Sequence, residues 1–261
     1  MSTAVFWFRR DLSLDDNVGL YHCLKNHDAV IPIFVFDENI LSDLRNQSLQ
    51  YTLDKRLIFI YDALMKMNDE LKKNGSAIQL YHGTPLTVFQ KIIQNHTKID
   101  AVYTNHDYEP YAIQRDKQIT ELLKSKNIAF YSYKNQVIFE KGEVLKEDNS
   151  LYKVFTPYSN KWKATLLQTD IKIYDISQFK HKFNSLSNNS TLVLQNVGFQ
   201  YFKINFSSTL INDNILIDYV KQRDFPAING TSNLSVHLRF GTISIRKLLN
   251  HALEIKANTF I

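Results

Sequence analysis

The 261 residues are 44% hydrophobic and 22% charged, with 7 Gly, 5 Pro and a single cysteine, Cys23. That balance suits a soluble globular chain of one large or two small domains and excludes disordered, collagen-like and low-complexity chains, while a lone cysteine excludes a disulfide framework and a cysteine-built zinc cage. The net charge of +5 is uneven, −1 over residues 1–130 and +6 over 131–261, so the back half either meets an anionic partner such as nucleic acid or a phosphorylated cofactor, or carries a solvated basic face.

In chain order, Thr3–Phe8 is a short apolar run closed by Arg9, Arg10 and Asp11. It is too short for a signal peptide, and no later run approaches the roughly 20 apolar residues that span a bilayer, so a cytoplasmic protein with no membrane partner is expected. Asp15 or Asp16 can cap a helix running to about His27, and Ala29–Phe36 reads as a buried strand. Residues 49–74 carry the strongest helical period, Leu53, Leu57, Ile60, Leu64, Met67 and Leu71, with Gly75 where a C-cap belongs. Ala77–Tyr81 is the third strand, and Thr84-Pro85 opens a helix to about His96. Ala101–Thr104, a helix over Tyr111–Lys126 and a strand over Ala129–Tyr133 complete the alternation.

Near-continuously apolar strands alternating with helices predict an α/β fold, a doubly wound parallel five-stranded sheet covered on both faces. Ligands of such sheets sit beyond the C-terminal strand ends, which draws attention to Arg9-Arg10-Asp11, Asp37-Glu38 and Asn105 to Glu109. Beyond residue 134 the alternation stops. Residues 134–183 show no long period, Asn184–Ser190 is a Ser/Asn-rich linker, and short helical patterns follow over 209–221, 235–240 and 244–256. The units expected are therefore 1–133, a connector over 134–201 and a helical part over 202–261.

The sequence has no G-x-G-x-x-G, no phosphate-binding P-loop, no G-x-S-x-G elbow and no H-E-x-x-H. Dehydrogenase, P-loop, serine-hydrolase and zinc-enzyme readings lose their support, and no metal ligands are expected. The informative stretch is 219–246, YVKQRDFPAINGTSNLSVHLRFGTISIR. After the Asn229-Gly230 turn, Thr231, Ser232 and Ser235 place three hydroxyls at the entrance of a helix. That makes either a seat for a pyrophosphate or an ordinary N-terminal capping turn.

This stretch resembles the flavin-contacting segment of the DNA photolyase/cryptochrome family, R-D-x-P…T-S-x-L-S-x-H-L-x-F-G-x-I-S-x-R. Residues 6–17 (FWFRRDLSLDDN) resemble the family's opening signature, Thr104 to Pro110 with Arg115-Asp116 its loop after the fourth strand, and Val154 to Tyr158 with Trp162-Lys163 its interdomain segment. The resemblance implies a Rossmann-like antenna domain, a connector and the first helices of an all-α FAD-binding domain. It implies a light-driven flavoenzyme that splits cyclobutane pyrimidine dimers in UV-damaged DNA, with a cryptochrome-like photoreceptor or an inert nucleotide-binding fragment as alternatives. Implied FAD contacts are Tyr219, Thr231, Ser232, Asn233, Leu234 and Ser235. Arg223 falls where an arginine can hold a DNA phosphate, or it pairs with Asp224. Arg9, Arg10 and Glu109 either pack the strand ends or touch a second, antenna chromophore of folate or flavin type. Trp162 and Lys163 are expected to pack between domains.

The sequence also departs from the family pattern. Asn233 stands where a basic residue is usual, and Val236 where proline is usual. Family chains continue through many helices after a segment like Asn258 to Ile261. The FAD unit is therefore expected to be incomplete, with no catalytic residue in this chain and no tryptophan relay, since Trp7 and Trp162 both precede the helical part. An inactive isolated chain is expected, self-associating through apolar faces at Leu234, Leu238, Phe240, Ile243, Leu248, Leu249 and Leu253.

Overall fold

Alternate residues of the first apolar run serve two different cores, and the architecture follows from that. The computed structural model describes residues 1–47, 53–96, 98–184, 192–257 and 259–260. In β1 (Thr3–Phe8), Ala4, Phe6 and Phe8 point to one face and Val5 and Trp7 to the other. Chain order continues with α1 (Val18–Asn26), β2 (Ala29–Asp37), α2 (Glu38–Gln47), α3 (Lys55–Lys72), β3 (Gln79–Gly83), α4 (Pro85–Asn95), β4 (Ala101–Asn105), α5 (Pro110–Ser125) and β5 (Ala129–Tyr133). The five strands are parallel in the order β3-β2-β1-β4-β5. The winding reverses beside β1, so the crevice between β1 and β4 is the switch point where such sheets bind ligands.

One face of the sheet is covered by α1 and α3 through Leu20, Leu24, Leu57, Leu64 and Leu71. The other is covered by α4 and α5 through Val88, Phe89, Ile92, Ile119 and Leu123. Each fully buried side chain of this kind contributes about 1.5–3 kcal/mol relative to exposure. The described connector adds α6 (Phe155–Leu166) and 3-10 turns over Ser177–Lys182 and Leu194–Val197. Its Ile176, Phe183, Leu194, Val197 and Phe199 join the α1/α3 core, so it wraps that face. The tail is helical only: α7 (Asp213–Ile217), α8 (Tyr219–Gln222), α9 (Ser235–Phe240) and α10 (Ile245–Glu254). Among the described residues, no helix is long and apolar enough to cross a membrane.

Several elements differ from expectation. Asn17, not Asp15 or Asp16, caps α1, its side chain accepting from Leu20 N. Asp16 instead adopts φ +47 and turns its carboxylate to Tyr174 N, Ser244 and Arg246. Helix α3 starts only at Lys55 because Asp54 caps it, accepting from Arg56 N and Leu57 N. The earlier part of that expected helix, residues 49–52, lies outside the described residues, as do 185–190 of the linker and Asn258 and Ile261 at the end. Gly75 does take the left-handed φ of +71 that a helix end favours. The third strand is displaced two residues because Ile78 N is held by the Asn68 side chain before pairing with β2 begins. Helices α2 and α6 went unpredicted, and the 209–221 pattern breaks into α7 and α8 at Asp218. Leu234, Leu248 and Leu249 are buried, against the expectation of poor cover. Leu253 is exposed as expected, and the other exposed apolar side chains of the tail are Leu210, Ile217, Val220, Phe225 and Ile228.

Candidate functional site

The ends of β1 and β2, the turn into α5 and the short helix α9 border a cavity of about 810 Å³. Trp7, Phe8, Arg9 and Arg10 reach it from the end of β1, Val35, Phe36 and Asp37 from β2, and Asp107, Glu109, Tyr111 and Arg115 from the turn into α5. Leu41, Leu44, Leu57 and Ile60 of α2 and α3 form an apolar wall, and Ser235, Val236, Arg239 and Phe240 of α9 close the cavity from the tail. Its size and mixed lining are those of a site for a small organic ligand.

The tail is seated there by the loop after β1. Leu12 N donates to Phe240 O at 2.9 Å. Gly241 takes φ +62, and a Cβ on it would lie 2.5 Å from Arg10 O and 2.7 Å from Asp11 Cα, so only glycine permits this approach. Arg246 donates to Asp16 Oδ2 at 2.9 Å and to Asn135 Oδ1 at 2.9 Å, with the Asp16 side chain fully buried. Asp11, also buried, accepts from Arg9 N at 2.6 Å and Asn105 Nδ2 at 2.6 Å. Burial raises its pKa and these hydrogen bonds act against the rise.

Arg9, Arg10, Arg115 and Arg239 at the cavity are joined through Asp107, Glu109 and Asp116 in one network, while Arg56 pairs separately with Asp54. Arg9 Nη1 reaches both oxygens of Asp116, at 2.6 and 2.8 Å, and its Nη2 donates to Asn105 O. Arg115 lies 3.1 Å from Asp116 and 3.8 Å from Asp107. Its buried Nη2 is close enough to Asp116 for Coulomb attraction but makes no directional hydrogen bond. Burial, reinforced by Arg9, pulls its pKa below the ordinary arginine value. Both guanidiniums lie over Trp7, at 5.0 Å for Arg9 and 4.9 Å for Arg115. At the rim, Glu109 Oε1 accepts from Arg10 and from Arg239, each at 2.8 Å. Those two hydrogen bonds, Arg239's first, hold the Glu109 carboxyl below the usual range. Tyr111 OH donates to Asp37 Oδ2 at 2.6 Å, and burial pushes the Asp37 pKa up. In turn, burial first and then that bond push the Tyr111 hydroxyl up to about 12.

The expected antenna residues Arg9, Arg10 and Glu109 thus line one cavity together. The expected flavin contacts, Ser235 apart, lie outside that cavity. Thr231 and Ser235 are exposed, Ser232 is half-buried and Leu234 is buried. Asn233 takes a left-handed φ of +53, its carbonyl accepting from Ser207 Oγ. The N–H groups of Thr231 to Leu234 find no acceptor among the described residues, which suits them to an anion. Tyr219 packs edge-on against Phe260 at 5.5 Å, with the Arg223 guanidinium 5.4 Å above it. Arg223 is only 3.7 Å from Asp224 and its side chain is 43% exposed, a loose pair that leaves it reachable from solvent. The large cavity takes Ser235 from this group but not Tyr219, Thr231, Ser232, Asn233 or Leu234. Trp162 packs on Phe139 at 5.4 Å, within the connector.

Sequence reasoning missed Arg115, Arg239, Tyr111 and Trp7 as cavity residues. Arg115 stood inside the quoted loop motif and Arg239 inside the flavin motif. No spacing rule links them, because the fold brings them together from positions 124 apart.

A family profile described as DNA photolyase matches residues 4–175. A deoxyribodipyrimidine photo-lyase of Alkalihalophilus pseudofirmus is 27% identical over 276 residues, covering 99% of this chain and 55% of that protein. Another from Synechococcus sp. is 30% identical over 258 residues, covering 93% of this chain and 52% of that protein. The chain therefore spans about half the length of these curated relatives. Among solved structures, the archaeal photolyase of Sulfolobus tokodaii, described with two FAD molecules, aligns with a TM-score of 0.72 at 25% identity, over 98% of this chain and 57% of that one.

Proposed function

The chain belongs to the DNA photolyase family, and from that membership we propose that it is the light-gathering part, with the opening of the flavin site, of a light-driven DNA-repair flavoenzyme. The observation that carries this reading is the 810 Å³ cavity at the strand ends, apolar and aromatic inside and ringed by arginines. A planar chromophore held there would lie against the apolar wall of Leu41, Leu44, Leu57 and Ile60. The Sulfolobus structure is described as holding two FAD molecules, with the implication of a novel light-harvesting cofactor, which favours a flavin-type chromophore for this cavity over a folate.

FAD itself would be held by the expected flavin contacts. Thr231, Ser232 and Ser235 offer hydroxyls, and the turn from Thr231 through Asn233 to Leu234 offers N–H donors, to its pyrophosphate. Tyr219 would flank it, and the open Arg223 would hold a backbone phosphate of damaged DNA. Reduced FAD, when bound and excited by light, supplies the electron that splits a pyrimidine dimer. The dimer must leave the duplex to be reached, and the groups meeting it are assigned to no residue of this chain. In this reading residues 1–133 are the antenna unit, 134–201 the connector and 202–261 the opening of the FAD-binding unit.

The test is to incubate the purified chain with FAD, pass it through a desalting column and quantify the flavin released by denaturation. Retained FAD that falls at least about tenfold in affinity in a Thr231→Ala, Ser235→Ala double variant is the expected result. No retained FAD, or retention indifferent to both substitutions, would overturn the assignment of the flavin site.

A further inference from the structure

A buried histidine stands behind the turn assigned to the flavin phosphates. His237, in α9, is 6% exposed, and both of its ring nitrogens are engaged. Nε2 lies 2.7 Å from Ser207 O and Nδ1 lies 2.7 Å from Thr242 Oγ1. A carbonyl oxygen only accepts, so Nε2 is the donor to Ser207. Ser207 in turn donates its hydroxyl to Asn233 O at 2.8 Å. Two hydrogen bonds thus lead from α9 through residue 207 to the turn, across sequence separations of 30 and 26. Asn233 is the residue there that needs holding. It takes a φ of +53, a left-handed conformation that residues other than glycine enter only at a cost. Its side chain supports the turn from within, donating to Asn229 Oδ1 at 3.3 Å and to Thr231 O at 3.4 Å. Its carbonyl is fixed from outside by Ser207. Phe206, the neighbour of Ser207, packs edge-on against Phe59 of α3 at 4.9 Å, and His237 packs on the same ring at 5.2 Å. One aromatic ring of the α/β unit therefore steadies both His237 and the segment that carries Ser207.

We propose that His237 is a positioning residue of the flavin site. Through Ser207 it fixes the Asn233 carbonyl, and with it the direction in which the N–H groups of the turn meet the pyrophosphate. The role rests on the flavin reading of Thr231 to Ser235 and adds to it the groups that hold the turn in shape before the cofactor arrives. A turn fixed in advance loses less binding energy to its own ordering. His237 acts through Ser207 and is not itself a ligand-touching group in this account.

The test compares FAD affinity, by equilibrium dialysis of the purified chain, across variants checked for folding by circular dichroism. His237→Phe keeps a ring against Phe59 and removes both hydrogen bonds, while Ser207→Ala removes only the second link. Each should weaken FAD binding about fivefold. Both act on one carbonyl, so the double variant should bind no more weakly than His237→Phe alone, whereas independent effects would multiply to about 25-fold. His237→Gln, whose amide nitrogen can still donate to Ser207 O, should restore most of the affinity. A histidine that served packing alone would give neither the shared effect nor that rescue. Affinity that falls in the Thr231→Ala, Ser235→Ala variant but is unmoved by His237→Phe or Ser207→Ala would overturn the positioning role and leave the flavin site standing. Losses that multiply in the double variant, or that His237→Gln fails to restore, would overturn the role as well. Affinity indifferent to Thr231→Ala, Ser235→Ala, or no FAD binding at all, would overturn the flavin reading and the positioning role with it.

Discussion

The α/β unit and the helical tail are held together by opposite means. In the first, five strands and the helices on both faces bury two continuous apolar clusters, with buried hydrogen bonds of Asp11, Asn17 and Asn105 confined to the strand ends. The tail's own cluster is small, Leu216, Ala252 and Ala257, and much of its apolar surface faces solvent. Its order comes from the surface it sits on: Arg246 in the Asp16 and Asn135 pocket, Lys247 paired with Asp15, Phe240 and His237 against Phe59, and Arg239 on Glu109. A unit with its own core can be rigid alone. One that borrows its order can be released by a single substitution in its host.

Four perturbations sharpen that contrast. Phe6→Ala, at a fully buried position shared by β1 and the α1/α3 core, should cost about 3–5 kcal/mol and shift the whole urea transition, tail included. Arg246→Ala should cost about 3 kcal/mol by stranding the buried Asp16 carboxylate. Hydrogen exchange should report the loss in residues 235–254, with the strands still protected; equal loss in both regions would break the comparison. Gly241→Ala, which forces a Cβ into Arg10 at a left-handed φ, should cost about 1–2 kcal/mol and also loosen α9 before the sheet.

Acidification should give the smallest effect. The Glu109 carboxyl is held below its ordinary pKa by Arg239 and Arg10. Its contribution to docking is therefore complete above the ordinary glutamate value and fades as pH falls through the lowered one. Half exposed, it should contribute only about 0.2–1 kcal/mol. Exchange of α9 between pH 6 and pH 3 should rise in the wild type by more than in Glu109→Gln, after correction for intrinsic rates.

The same contrast explains what the sequence could tell. The strands were legible because Thr3–Phe8 and Ala29–Phe36 are buried on both faces and so read as unbroken apolar runs. Helix α4 was legible from Thr84-Pro85, where the cap does lie. Helix α2 was not, because Asp37 turns the end of β2 straight into it through a bond from Asn39 N, with no loop to mark the start. Asp16 looked like a helix cap because its partners, Ser244 and Arg246, are more than 220 residues away. The cavity was half legible. Arg9, Arg10 and Glu109 lie at strand ends, where the topology directs ligands, but Arg239 belongs to a helix that only tertiary docking brings over them.

The central proposal is that the space between the strand ends and α9 would hold a chromophore. Its most direct test is titration of the Trp162→Phe chain with FMN while following Trp7 emission, repeated with Val236→Phe to narrow the cavity at α9. The account predicts saturation near one equivalent, weakened by Val236→Phe with the fold intact by circular dichroism. Absence of quenching, or quenching that Val236→Phe leaves unchanged, would contradict it.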